Sequence, residues 1–551
     1  MSRQPRPQSS TVAIIGAGFS GIAAAVALKR EGIEDFTIFD KAPGVGGTWW
    51  ANRYPGAEVD LESHIYSFSF ARTDWTRTHA SRQELQQYLE AVVDRFGLRP
   101  HLRLGEKIET VTWAPHQSAY EVTTSSGELY PLFTAVISAV GFLDIPVVPA
   151  FARFGHPFEG EITHTSTWPE RLELTGKRVG VVGTGSSAVQ VVAEGARRAA
   201  SVKVFQSSPN WILPKGSRDY GERERRWNAN RLVHAWRRAK LYVTYDVRQY
   251  RASHARPDGW SYRRRSRAAL DHLSTSLAGH PELRRLLTPP FAFEGKRTVI
   301  SDDYYEALTR DNVTLVPHVV TELARGGVVT ADGAEHDLDV IVLATGFDAA
   351  NYLGSFTVTG VSGVELHEQW DGEPQALLGL MTPGFPNFFM LYGPNTNSVP
   401  LVSFYEAQAR FAAKTIARFD RSDRREVHVS RRLTDRYNAW LQKRLRRTAW
   451  GAASNYYQAG SGRIVSQWPF SASFYIAATR VARHVALSYR GKSPATPTPS
   501  ATSTPSATST PSATSTPSAA PAATRTPQRP QAARLAHSTG AQAPGGVRRP
   551  N

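Results

Sequence analysis

Two glycine clusters in this 551-residue chain have the spacing that cradles a pyrophosphate. The first is Gly16-Ala17-Gly18-Phe19-Ser20-Gly21 and the second is Gly183-Thr184-Gly185-Ser186-Ser187-Ala188. In each, the opening glycine permits a tight turn and the next lets a phosphate approach bare backbone. The third position, Gly21 or its common variant Ala188, lets a helix pack closely on a strand. Amide N–H groups at the start of that helix then face the phosphate. Between the clusters, and inside neither, lie residues 158–169, FEGEITHTSTWP. The strand ends downstream of the two clusters differ in charge. Asp40 ends an apolar run at Phe36–Asp40, where a carboxylate accepts from ribose hydroxyls and repels a 2′-phosphate, so the first site is expected to take FAD and not NADP. The matching segment after the second cluster, Val204-Phe205-Gln206-Ser207-Ser208-Pro209, contains no acid. NADPH is therefore admitted there, with Ser207 and Ser208 offering hydroxyls but no positive charge.

The elements that must position these groups are legible around them. Residues 11–15 are a short β-branched strand, 21–30 are rich in Ala and Leu at helical spacing, and Phe36–Asp40 is a second strand. Residues 178–195 and 202–206 repeat that plan. A further apolar strand at Val340–Leu343, ending in Ala344-Thr345-Gly346, is expected to return the chain to the first domain. The expected class is α/β: two Rossmann-like dinucleotide-binding domains, with an NADP domain inserted into a discontinuous FAD domain, a helical insertion and a disordered C-terminal tail. The boundaries read as 1–150 (FAD domain, first part), 151–215 (NADP domain, first part), 216–290 (basic helical insertion), 291–338 (NADP domain, second part), 339–490 (FAD domain, return part and substrate cavity) and 491–551 (tail).

Length and composition agree with this division. A single core stops growing near about 250 to 300 residues, so 551 residues imply several packed units, and 41% apolar content supports them. Apolar runs are too short to span a bilayer, and the polar start MSRQPRPQSS lacks the apolar core of a secretion signal. Zero cysteines exclude disulfides, thiolate catalysis and Cys-ligated metals. A cytoplasmic enzyme is the expectation. The net charge of +17 is concentrated in two appendages: residues 491–551 contribute +6 with no acid, and 216–275 contribute +9, from 15 Lys and Arg against 6 Asp and Glu. No aromatic base-stacking module accompanies the basic runs, which argues against a nucleic-acid partner. In the insertion, Leu232, Trp236, Ala239, Val243 and Val247 fall on one helical face among Arg231, Arg237, Arg238, Lys240 and Arg248. Such a helix is expected to be a lid that packs its apolar stripe on its own protein, with a face resting on a membrane surface and meeting lipophilic substrates there as the alternative. From about Ser493 a TPSATS repeat cannot assemble a core, so the tail is expected to be an extended, disordered linker.

Two nucleotide folds joined by Phe-x-Gly-x-x-x-His-x-x-x-Trp-Pro resemble the flavin-dependent Baeyer-Villiger monooxygenases, over residues 11 to about 490. The resemblance implies FAD and NADPH as cofactors, no metal, and O2 and a small-molecule ketone as reactants. The products would be an ester or lactone, reached through a C4a-peroxyflavin. For FAD it implies Gly16, Gly18, Phe19, Ser20, Gly21, Asp40 and Lys41, then Gly47, Thr48 and Trp49, and finally Tyr54, Asp60 and Tyr66. For NADP it implies Gly183, Thr184, Gly185, Ser186, Ser187 and Gln190, with Ser207, Ser208 and Lys296 toward the phosphate. Arg297, in Phe293-Glu294-Gly295-Lys296-Arg297, would be the catalytic cation and Asp60 its orienting partner. Phe158, Gly160, His164 and Trp168 would serve domain positioning rather than proton transfer. Gly393-Pro394-Asn395-Thr396-Asn397 resembles the loop near the flavin ring, with residues 398–404 along the substrate cavity. Residues 450–468 resemble a region that helps hold the nicotinamide.

The chain departs from the family at two points. Relatives usually place an arginine where Ser207 stands, which implies a weakened preference for NADPH over NADH, and often a Trp-Tyr pair near Tyr456 and Tyr457. An N- or S-oxygenating flavin monooxygenase is the alternative reading. A basic nucleic-acid or membrane-surface binding protein is a distant one. Disulfide reductases share two nucleotide folds but need a cysteine pair, which this chain lacks.

Overall fold

The computed structural model describes residues 11–153, 157–254, 259–422, 424–451 and 455–491. The tail, expected to be disordered, lies outside the described residues. The chain opens with β1 (Val12–Ile15), α1 (Phe19–Arg30) and β2 (Phe36–Asp40), and adds β3 (Leu102–Leu104) and β4 (Ala135–Ser138). A second group of elements comprises β5 (Glu161–His164), β6 (Arg178–Val182), α2 (Ser186–Arg198) and β7 (Ser201–Phe205). Then come the helices α3 (Glu222–Ala229), α4 (Arg231–His254) and α5 (Trp260–Ser276), the strands β8 (Val313–Val316) and β9 (Val340–Leu343), and finally β10 (Phe388–Met390), α6 (Leu401–Asp420) and α7 (Ala472–Val485).

Both main sheets are five-stranded and parallel. The first has the order β10-β4-β1-β2-β3 and the second β8-β7-β6-β9-β5. Their central strands are continuous apolar runs, Val-Ala-Ile-Ile in β1 and Val-Ile-Val-Leu in β9, because helices or loops cover both faces. The Ala-rich α1 is short-sided enough to lie against α6, and its last turn carries Lys29 and Arg30 where the helix dipole is negative.

Two expectations need correction. Val340–Leu343 does not return the chain to the first sheet: β9 pairs with β6 and β5 in the second, and the return is made by β10 against β4. A four-residue apolar strand carries no label for the sheet it joins, and here the crossover geometry chose. The apolar stripe of α4 is likewise not packed on the protein. Leu232, Trp236, Val243 and Val247 are all exposed. The helix is held by its polar residues instead: Arg238 donates to the carbonyls of His64 and Ser67 at 2.8 and 2.7 Å, and Asp246 accepts from Ser473 Oγ at 2.6 Å at the start of α7.

Candidate active site between the two cradles

Each cradle begins where a strand turns into a helix through glycine. Gly16 has φ +110° and Gly183 +122°, and a Cβ at either would lie 2.7 or 2.5 Å from a backbone carbonyl oxygen, Ala139 or Ala344. α1 and α2 start at Gly18 and Gly185 with no side chain capping their first N–H groups. Those unsatisfied donors, at the positive ends of two helix dipoles, suit pyrophosphates. The residues present therefore fit two dinucleotides.

A cleft of about 660 Å³ runs between the cradles, lined by Gly18, Asp40 and Thr48 from the first and Ser186, Ser187 and Gln190 from the second. Asp40 sits at the strand end as expected, but its oxygens accept from Ala17 and Ala42 N–H at 2.7 and 2.8 Å. Burial raises its pKa, and the two backbone bonds oppose that rise. The carboxylate thus stiffens the turn as well as facing the cleft. Lys41 pairs with Asp144 at 2.6 Å. Phe19, Trp49 and Tyr66 form an aromatic wall, with Trp49 Nε1 donating to Tyr66 Oη at 3.3 Å and Phe19 edge-on to Tyr66. Burial pushes the Tyr66 phenol up to about 12.

Arg297 and Asp60, 237 positions apart, meet in this cleft, with Arg297 Nη2 donating to Asp60 Oδ2 at 2.9 Å. Asp60 Oδ1 is buried and bonds no group among the described residues. Burial works against the charge on Arg297, yet Tyr456, Asp60 and Tyr457 outweigh it and raise the guanidinium above its ordinary value. The tyrosine pair that departs from the family pattern therefore stands beside the cation. Asn397, Ser398, Val399 and Leu401 also line the cleft, and so do Trp450, Tyr457 and Gln467.

Lys296, Ser207 and Ser208 lie apart from the cleft lining. Lys296 Nζ donates to Ser208 Oγ at 3.0 Å, while Ser207 is exposed. Thr184 Oγ1 donates to the Ser208 carbonyl at 2.9 Å, which ties the second glycine turn to the same loop. In the connecting motif, Gly160 is packed between Phe158 and the backbone of Asp339, where a Cβ would have no room. His164 uses both ring nitrogens: Nδ1 accepts from Ser166 N–H at 3.2 Å, and Nε2 lies 3.1 Å from the Gly346 carbonyl. Burial lowers its pKa, and the hydrogen bond to Gly346 opposes that fall. Trp168 lies edge-on to Tyr54, whose hydroxyl donates to Gln190 Oε1 at 2.9 Å.

Sequence reasoning missed the junction that holds the segment bearing Asp60. Glu58, two residues before Asp60, pairs with Lys215 at 2.7 Å and with Arg77 at 3.4 Å, and the Lys215 side chain is only 2% exposed. Gln190 Nε2 also donates to the Glu58 carbonyl at 3.1 Å, so the segment bearing Asp60 is fastened to the second cradle. No local pattern announces such a junction.

Residues 13–258 match the model of the pyridine nucleotide-disulphide oxidoreductase family. A Baeyer-Villiger monooxygenase of Pseudomonas aeruginosa is 36% identical over 481 residues, which cover 85% of this chain and 90% of the relative. The phenazine N-monooxygenase PhzNO1 of Lysobacter antibioticus is 35% identical, over 73% of this chain and 81% of its own length. Among solved structures, cyclohexanone monooxygenase from Rhodococcus sp. Phi1 bound to NADP+ superposes with a TM-score of 0.79 at 29% identity, covering 88% of this chain and 100% of that one. Two glycine cradles facing one cleft, a long match to these relatives and the same architecture lead to one assignment: the chain belongs to the FAD- and NADPH-dependent Baeyer-Villiger monooxygenases.

Proposed function

We propose that this protein inserts one oxygen atom of O2 beside a ketone carbonyl, giving an ester or lactone. The observation that carries the reading is the Arg297–Asp60 pair in the cleft between the cradles. FAD, when bound and reduced by NADPH, supplies the activation of dioxygen. An oxygen nucleophile carries negative charge before it attacks a carbonyl carbon and passes that charge to the carbonyl oxygen as the new O–C bond forms, and a fixed cation stabilises both. Arg297 keeps its charge at any working pH, and Asp60 orients the guanidinium through one N–H while others remain for a developing oxyanion. The aromatic wall and the apolar residues Val399 and Leu401 line the same cleft and would help exclude water once the cofactors fill it. Gly183 to Ser187, with Lys296 and Ser208, would hold NADPH, and Phe158, Gly160, His164 and Trp168 would set how the two domains meet.

Incubating the FAD-loaded protein with NADPH, O2 and a panel of cyclic, linear and steroid-like ketones, with identification of the products, tests the activity. Arg297→Ala is expected to retain flavin reduction by NADPH while ester formation falls about a hundredfold or more. Undiminished ester formation would remove Arg297 from the reaction. The likeness to a phenazine N-monooxygenase supports a second reading, N-oxygenation of a soft nucleophile. That chemistry needs no oxyanion cation, so N-oxide formation would survive Arg297→Ala, and the position of the added oxygen separates the two.

A further inference from the structure

We propose that the outward face of α4, with its neighbours on α3 and α5, docks on an anionic lipid bilayer and presents lipophilic ketones to the cleft; only the delivery of substrate rests on the proposed function. Residues 232, 236, 243 and 247 recur at one helical face, and the side chains there are Leu232, 81% exposed, Trp236, 64%, Val243, 59%, and Val247, 43%. Trp227 on α3 and Trp260 at the start of α5 are 73% and 67% exposed. Large apolar side chains exposed singly are ordinary on a protein surface, but this concentration in one helical excursion is not.

The orientation is not accidental to a loosely held helix. Arg238 is anchored to two carbonyls of the first domain, Asp246 holds the start of α7, and His234 is buried. Arg238, Asp246 and His234 thus face inward while Leu232, Trp236, Val243 and Val247 face outward, the reverse of a helix that buries its apolar stripe in a protein core.

Charge selects the occupant. Arg223, Arg226, Arg231, Lys240, Arg248 and Arg264 are exposed on the same three helices. Lys240 lies 5.3 Å from the ring centre of Trp236, and the Arg264 guanidinium 5.6 Å from that of Trp260. Tryptophan with neighbouring lysine and arginine is the composition of a helix lying at a bilayer interface, where anionic headgroups attract the basic groups. A second copy of the chain would bring like charge against like charge. Residues 492–551 are basic, without an acid, and dominated by Pro, Ser, Thr and Ala, so they offer neither opposite charge nor an apolar partner. No described helix is long and apolar enough to cross a membrane, so the contact is with the surface.

The same helices reach the site with their other side. Tyr245 and Arg248 of α4 and Arg265 of α5 line the cleft that holds Arg297. A second hollow of about 660 Å³ opens beside the stripe, lined by Trp227, Val233, Trp236 and Leu241 among others. The helix thus stands between the docking face and the cleft, where substrate held at the bilayer can be delivered to the site.

The test uses the full FAD-loaded chain and flotation with phosphatidylcholine vesicles, with or without phosphatidylserine. Binding is expected to the phosphatidylserine vesicles, and the triple variant Leu232→Ser, Trp236→Ser, Val243→Ser is expected to weaken it about tenfold or more. Lys240→Glu with Arg231→Glu should weaken it as well. Unchanged flavin absorbance and melting temperature in the variants exclude misfolding as the cause. The proposal is overturned if the parent chain ignores anionic vesicles or if neither variant loses binding, which would assign any binding to the basic tail. It is equally overturned if the parent is a dimer in light scattering that the triple variant dissociates. Vesicle binding is read without any turnover, so failure to oxidise ketones would sink the proposed activity and leave this result standing.

Discussion

The two cradles share one plan and differ in how firmly they are built. In the first, most of α1 is buried, Ser20 Oγ donates to the Ala139 carbonyl at 3.0 Å, and Asp40 ties down the N–H groups of Ala17 and Ala42. In the second, Gly185 faces open space, Ser186, Ser187 and Gln190 are half-buried, and the strand end carries the exposed Ser207 in place of an acid. Under the proposed function, the first arrangement suits a cofactor that stays and the second one that is exchanged. Burial and pinned backbone slow escape, whereas an open loop with one lysine lets a charged ligand come and go.

The sharpest way to break the comparison is to fill a glycine in each cradle. A Cβ at Gly21 would lie 1.8 Å from the Gly16 carbonyl oxygen, so Gly21→Val should give protein without flavin and with a melting temperature lowered by several degrees. A Cβ at Gly185 meets no atom of the described residues within 4 Å, so Gly185→Ala should keep FAD and raise KM for NADPH about tenfold through lost phosphate contact. Absorbance at the flavin bands and steady-state kinetics read both. A Gly21→Val protein that purifies yellow would remove the contrast.

Acid should act through buried histidines outside the two glycine turns. His64, His79 and His234 are buried, and burial lowers their pKa values to about 3, 4 and 4, with nearby cationic side chains adding to the effect. Each is neutral in the folded protein. Their contribution is therefore complete above the unfolded value of about 6.5 and is lost as pH falls through the folded values. Thermal melts from pH 7 to pH 4 should show falling stability, and a flat profile would contradict the assigned burial. His64 and His234 lie 5.2 Å apart, ring centre to ring centre, where α4 meets the first domain.

Ser207→Arg sharpens the second cradle. Adding the charge that hydroxyls lack should raise the NADPH to NADH ratio of kcat/KM about tenfold, and a parent preference already above roughly a thousandfold would contradict the reading of Ser207. The smallest effect is expected at His164. Replacement by glutamine should cut turnover and coupling severalfold while FAD stays bound, because the ring bridges Ser166 and the Gly346 carbonyl. Purification of apo-protein would count against that.

Much of the site is legible in the sequence because backbone geometry demands particular residues. Gly16 and Gly183 need positive φ and close backbone neighbours, a requirement written into one position at a time. Arg297 and Asp60 are marked by family likeness, since nothing local to either predicts an ion pair spanning 237 positions. Val340–Leu343 joins a different sheet from the one expected because a buried parallel strand looks the same wherever it pairs. Periodicity finds the stripe on α4 but not its direction: a helical period shows that one face is apolar and is silent on which neighbour turns it outward.

By itself, the sequence determined the two strand-glycine-helix cradles, the lack of thiol chemistry and the charge contrast between Asp40 and Ser207. Those arise from sterics and charge over a few adjacent residues. Only the tertiary structure decided that Asp60 meets Arg297, that Glu58 fastens this segment through the buried Lys215, and that α4 is anchored by Arg238 with its tryptophan facing out. Such pairings depend on which distant surfaces exclude water together, and no short stretch of chain contains that information.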